Sequence, residues 1–335
     1  MTGFLATAVP AAISSFEASI PLETLVVPPF HSLLSPMSRR HLSAIFAALL
    51  VVTASAREKQ KPATPEPTPV PRAPQAGQVF DDLELDAFLE KETRRLHAEK
   101  KLGARNLTAR KCGVTLPTTS TDKLAWQEVA ARAEAGTLVL GDVFREGKSK
   151  KDEFSVAAGA FVISEEGVIV TCLHVASEKG TRGLSALTRD GRVFAVREVL
   201  AADPENDLVI LQLDLPAGTK LPALPLANSA APTASPIGVM SHPEEHFWMW
   251  TAGVVSRHTV VRDASGEHFY TTITADFAKG SSGCPVLDES GNAVGVVNNT
   301  ESIYYEDDGK RKQLDLQMVV RNVTPGWVVR KMFVP

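Results

Sequence analysis

Three short segments of this chain hold residues able to carry out nucleophilic chemistry. Gly280-Ser281-Ser282-Gly283-Cys284-Pro285 sets a serine between glycines, on a turn where the backbone can come close to another molecule. Its small neighbours leave the N–H groups of Gly280 and Ser282 free to point at a single oxygen. The run Val168 to Leu173 is apolar and ends in His174. Asn206-Asp207 opens a second apolar run, Leu208 to Leu213. An aspartate drawn inside at such a place must find a charged or hydrogen-bonding partner, and an imidazole would serve. Cleaving an amide at neutral pH takes an activated hydroxyl, a base for its proton and donors for the oxyanion that develops. Ser282 fits the nucleophile, His174 the general base, Asp207 the group that orients the imidazole, and Gly280 with Ser282 the backbone oxyanion donors. Each segment also has an ordinary reading, as a Gly-Ser loop, a core histidine and a turn aspartate. Their combination is more specific than any of the three.

The elements that must position these residues are β-rich. From Gly136 onward, short apolar runs follow one another between turn residues: TLVLGDVF, FSVAAGAFVI, VIVTC, VFAVREVL, DLVILQL, SPIGVM, WMWTAGVVS, HFYTTITA, AVGVVN and LQMVVR. So many short strands without intervening helices predict an all-β sandwich or pair of barrels. Only the last stretch, Thr324 to Phe333, reads as a helix, with Pro325 in its first turn. Two helices precede the strands. In residues 81–101, Leu85, Phe88, Leu89 and Leu96 recur at helical spacing, with acidic residues early and basic ones late, as the helix dipole favours. A second helix is expected over Thr121 to Ala135, capped by Thr121 or Asp122.

The N-terminal part reads as targeting and spacer. Residues 37–56, MSRRHLSAIFAALLVVTASA, combine two arginines, an apolar stretch from Leu42 to Val52 and the small residues Ala54-Ser55-Ala56. This is the pattern of a signal peptide cleaved after Ala56. The apolar run falls short of the ~20 residues of a comfortable membrane span, so membrane contact is expected only if the segment stays uncleaved as an anchor. Residues 1–36 carry no Lys or Arg and are read as an upstream segment from a misplaced start, with translation beginning at Met37. Residues 57–80 are a proline-rich, extended linker, and residues 81–120 form a helical and irregular preface to the β-rich domain at 121–335.

A net charge of −4 gives no basic excess with which to grip phosphates, so no nucleic-acid partner is expected. The three cysteines, Cys112, Cys172 and Cys284, form no CxxC pair, and neither a metal nor a cofactor is expected.

The order His…Asp…Ser is that of the chymotrypsin-type triad. The region from about Gly136 to Asn322 resembles trypsin-like serine peptidases of the DegP/HtrA type. AGAFVISEEGVIVTCLHV resembles the strand pair that leads to that family's histidine, with Thr171 to His174 matching its T-x-x-H. NDLVILQL resembles its aspartate strand, and ITADFAKGSSGCPVLDESGNAVGVVN its nucleophile loop and following hairpin. The resemblance implies a chymotrypsin-like double β-barrel, with barrels over roughly 136–215 and 230–322. It also implies an exported, periplasmic or secreted, endopeptidase acting on polypeptides, unfolded proteins among them. Two positions depart from the family pattern G-[ND]-S-G-G-P: Ser281 replaces Asn or Asp, and Cys284 replaces the second glycine. The chain is also expected to lack the PDZ domain many of these proteins carry. Asp276 lies six residues before Ser282, the separation of a basic-specificity aspartate, but it also suits a structural role at the start of this loop, which is the favoured reading. If the triad forms, Cys172 and Cys284 approach each other, as a disulfide or as two buried thiols. A pseudopeptidase serving as a binding module, or another acyl hydrolase, would use the same fold.

Overall fold

Among the residues that the computed structural model describes (79, 81–101, 112–264, 266–307 and 313–333), strands close into two six-stranded antiparallel barrels. All of these residues belong to the compact unit Glu66–Pro335; the other unit, Met1–Pro65, contains none of them. The upstream segment 1–36, the signal segment 37–56 and, Val79 apart, the linker 57–80 therefore lie outside the described residues. No helix among the described residues is long and apolar enough to cross a membrane.

The first barrel comprises β1 (Thr137–Phe144), β2 (Glu153–Ser164), β3 (Val168–Cys172), β4 (Thr181–Leu187), β5 (Val193–Asp203) and β6 (Leu208–Leu213), in the spatial order β1-β2-β3-β6-β5-β4. The second comprises β7 (Pro236–Ser241), β8 (Met249–Asp263), β9 (Gly266–Ile273), β10 (Pro285–Leu287), β11 (Ala293–Asp307) and β12 (Gln313–Pro325), in the order β10-β11-β12-β9-β8-β7. The all-β double barrel implied by the family resemblance is the observed fold, and it decides between the sandwich and the barrel pair that the strand pattern left open. The second barrel is filled by small and branched side chains, among them Ile237, Val239, Val255, Ile273, Val286 and Val323.

Helix α1 (Asp82–Ala98) explains why β1 is buried on both faces. A strand in an open-faced sheet alternates inside and outside, whereas nearly every residue of β1 is buried. Leu85, Leu89, Thr93 and Leu96 form the inward stripe of α1. A Cβ at Gly141 would lie 3.0 Å from Thr93 Oγ1 and 3.2 Å from Leu89 Cγ, so glycine lets the helix sit directly on the strand. Thr93 Oγ1 donates to the Leu89 carbonyl at 2.6 Å and pairs with Ser185 Oγ of β4 at 2.6 Å.

Helix α2 (Trp126–Gly136) starts later than the expected Thr121 or Asp122 cap. Its N-cap is Ala125, whose N–H is received by Glu128 Oε2 at 3.1 Å. Alanine offers no side-chain acceptor, so the carboxylate of the first turn supplies half a capping box. The C-terminal helix is also shorter than expected. β12 runs on to Pro325, and only Gly326–Arg330 (α4) is helical. The pairing of β12 with β11 at Gly295↔Pro325 and Val296↔Thr324 carries Thr324 and Pro325 into the sheet.

Candidate active site

β3 and β6 are antiparallel neighbours with Cys172 opposite Leu208. His174 lies two residues beyond the end of β3 and Asp207 one residue before β6, so the register brings both to the same end of the sheet. The chain turns there into the short helix α3 (Leu173–Ser177), and the Leu173 N–H donates to the Asp207 carbonyl at 3.0 Å. Asp207 has φ 53°, a left-handed conformation that aspartate tolerates better than most residues. Its carboxylate then faces the helix: Oδ1 accepts the His174 N–H at 2.8 Å, and Oδ2 lies 2.6 Å from His174 Nδ1. A carboxylate is an acceptor, so Nδ1 is the donor in this contact.

The turn that carries Ser282 belongs to the second barrel but is bonded to the first. The Gly159 N–H of β2 donates to the Ser282 carbonyl at 2.9 Å, and Thr171 Oγ1 donates to the Gly159 carbonyl at 2.7 Å. Gly283 has φ +84°, and a Cβ there would stand 2.1 Å from Thr171 Oγ1 and 2.3 Å from the Gly159 oxygen. Only glycine fits both the conformation and the space.

One residue that the sequence reading did not single out ties the parts together. Asn298 of β11, nearly buried, donates from Nδ2 to Asp207 Oδ2 at 3.1 Å, across the junction of the barrels. Its carbonyl accepts from Ser282 Oγ at 3.3 Å. Ser282, Asn298, Asp207 and His174 thus form one continuous hydrogen-bonded chain. Among the described residues the Ser282 hydroxyl bonds to Asn298 and not to His174. A signal for Asn298 was available, since it is a polar residue ending the apolar run AVGVVN, but nothing in the sequence says that it meets Asp207.

The N–H groups of Gly280 and Ser282 donate to no acceptor among the described residues. Asp276, which the spacing left between two roles, is met by Arg321 of β12, with Nη2 2.6 Å from its Oδ1. The disulfide considered for Cys172 and Cys284 is not formed; both are buried free thiols. Cys172 Sγ donates to the Val297 carbonyl at 3.1 Å. A Cβ on Gly159 would lie 2.1 Å from Cys284 Sγ, so the absent side chain at Gly159 makes the room that Cys284 fills. Burial raises both thiols well above their ordinary pKa and keeps them protonated.

The double barrel carries this chain of bonds at its junction, and residues 157–296 match the family model described as a trypsin-like peptidase domain. Within that class the sequence is similar to proteases of the DegP/HtrA type. It is 27% identical over 171 residues to Serine protease HTRA1A of Danio rerio, covering 48% of this chain and 34% of that protein. It is 30% identical over 145 residues to Protease Do-like 1, chloroplastic, of Arabidopsis thaliana, covering 42% and 32%. It is 29% identical over 157 residues to a probable periplasmic serine endoprotease, DegP-like, of Brucella suis, covering 45% and 30%. The matches thus span about a third of these curated relatives. A solved structure of the HtrA-type protease AlgW with a decapeptide aligns at 21% identity with a TM-score of 0.48, over 62% of this chain and 66% of that one.

Proposed function

We propose that this protein is an exported serine endopeptidase with Ser282 as nucleophile, His174 as general base and Asp207 as the residue that orients the histidine. The observation that carries this reading is the Asp207 carboxylate, which holds the backbone and the ring of His174 at once and is itself fixed by Asn298. In turnover, Ser282 Oγ leaves the Asn298 carbonyl by rotation about Cα–Cβ and gives its proton to His174 Nε2 as it attacks the substrate carbonyl. The Gly280 and Ser282 N–H groups receive the oxyanion, and Asp207 stabilises the imidazolium. Collapse of the tetrahedral species breaks the C–N bond, and His174 returns the proton to the departing amine. Water, deprotonated by the same histidine, then attacks the acyl-enzyme and frees Ser282. Export rests on the signal-like residues 37–56 and on the relatives described as periplasmic.

Asp276 is proposed to be structural. Its charge is taken up by Arg321, so it leaves no free anion for a basic substrate residue. The binding-module reading has one observation in its favour, the Ser282 hydroxyl turned to Asn298. Degradation of unfolded casein, compared between the full chain and Ser282→Ala, together with fluorophosphonate labelling of Ser282, tests the proposal. Equal degradation by both proteins sinks it, and a folded wild type that neither cleaves nor labels overturns it in favour of the binding module.

A further inference from the structure

The loop between β7 and β8 holds buried polar groups and strained backbone that the proposed chemistry leaves unused. His242 is buried, and its ring is bonded at both nitrogens: Nδ1 accepts the Trp248 N–H at 3.0 Å, and Nε2 donates to the Leu138 carbonyl at 3.2 Å. Trp248 Nε1–H donates in turn to the Thr137 carbonyl at 3.2 Å. The loop is thereby bolted to the start of β1 in the first barrel. Between the bolts, Glu244, Glu245 and Trp248 all take left-handed φ values of 46°, 64° and 51°. Such conformations are costly for residues with a Cβ and persist only where the surroundings enforce them, commonly at functional sites.

What the strained loop holds is the turn before the nucleophile. The Glu244 N–H donates to the Lys279 carbonyl at 2.8 Å. A trans peptide keeps its C=O and N–H on opposite sides, so the Gly280 N–H of the same peptide faces away from the loop, where it meets no acceptor among the described residues. Rotating that peptide by half a turn would bring the Lys279 oxygen to where the N–H now points and break the bond to Glu244. Gly280 also abuts the loop directly. It has φ +90°, and a Cβ on it would lie 2.7 Å from the His242 carbonyl oxygen.

Resting on the peptidase reading above, we propose that His242 is a positioning residue for the oxyanion hole. By fixing Trp248 and Leu138 it sets the loop from which Glu244 captures the Lys279 carbonyl, and so aims the Gly280 N–H. Helix α1 braces the same loop from outside, since Asp82 Oδ1 accepts the Phe247 N–H at 3.3 Å and Oδ2 lies 3.7 Å from His246 Nδ1.

Isosteric variants separate this role from simple packing. His242→Asn keeps an acceptor near the Nδ1 position for Trp248, whereas His242→Gln places its amide near Nε2 and gives that acceptor up. Loss of one oxyanion donor costs about 100- to 1000-fold in kcat, so partial misaiming in His242→Gln is expected to lower kcat by at least about tenfold. KM should stay within about twofold, and fluorophosphonate labelling of Ser282 should slow in parallel with kcat. His242→Asn should stay within about threefold of wild type. Asp82→Ala, a surface change that does not threaten folding, should lower kcat about threefold, and Asp82→Asn, which keeps the Oδ1 acceptor, should restore it. Unchanged kcat and labelling in both His242→Gln and Asp82→Ala overturn the proposal alone. If His242→Gln does not fold, the Asp82 pair decides by the same criterion. Absence of Ser282 labelling in the wild type overturns the peptidase reading and the proposal with it.

Discussion

Removing the guanidinium of Arg321 should convert Asp276 from a satisfied structural charge into a site for basic substrates. Arg321 Nη2 lies 2.6 Å from Asp276 Oδ1, and Nη1 donates to the Val319 carbonyl at 3.1 Å. Its Nε is buried and bonded to none of the described residues, so Arg321→Met, which keeps the aliphatic stem, forfeits few interactions. A substrate cation about 4 Å from the freed carboxylate would gain ~4 kcal/mol at an effective dielectric of about 20 and ~1 kcal/mol in bulk water. Because the Asp276 side chain is 74% exposed, the gain belongs near the lower figure. About 1.5 kcal/mol, or roughly tenfold in kcat/KM, is a fair expectation. The assay is a peptide series that differs only in the residue preceding the scissile bond, run on wild type, Arg321→Met and the double variant with Asp276→Asn. Cleavage after Arg or Lys should rise about tenfold relative to Leu in the single variant and fall back in the double one. A wild type that already prefers Arg or Lys by tenfold, or a variant with an unchanged profile, refutes the reasoning.

Three further outcomes follow from burial. Burial pulls the pKa of His242 down to about 4, below the ~6.5 of an exposed histidine. The unfolded chain therefore takes up the proton first. The stabilisation is complete above about pH 6.5 and is lost as pH falls towards 4, by ~3 kcal/mol in full; urea unfolding from pH 7 to 4 should show this slope, and His242→Asn should flatten it. Cys172 and Cys284 should resist iodoacetamide at pH 8 in the native protein and both react after unfolding without reductant, whereas a peptide pair joined through sulfur would contradict the buried-thiol assignment. Leu89→Ala, at a fully buried position on α1, should cost about 2–5 kcal/mol in thermal or urea unfolding, and a loss below about 1 kcal/mol would show that the helix is not docked on β1.

Much of this architecture is written locally. TLVLGDVF and VIVTC coincide with β1 and β3 because both strands are buried and their apolar runs are bounded by polar or turn residues. β4, TRGLSAL, escaped because it opens on Thr, Arg and Gly and carries a polar Ser185, whose burial makes sense only once Thr93 of a distant helix lies against it. β8, β11 and β12 run well past their apolar segments, as two-stranded ribbons with exposed residues such as His258, Glu301 and Met318. There the backbone ladder, and no burial pattern, sustains the strand. His174 and Asp207 could be singled out because each sits at the edge of an apolar strand. Asn298 also ends an apolar run, but its significance, like that of His242, lies in partners from the opposite barrel that the sequence does not name.

The hydrogen bond from Gly159 to Ser282 also has a consequence for how the molecule could come apart. Histidine and aspartate reside in one half of the sheet structure and the serine in the other, with residues 214–235 as the connector. On the proposed assignment neither half alone contains a working centre, and the contacts that join the halves include the one that holds the Ser282 turn. Severed at the connector, the two fragments would recover turnover only by reassociation, at a rate set by their concentrations. In the intact chain, a small parting of the halves would abolish the proposed activity before either barrel had lost a strand.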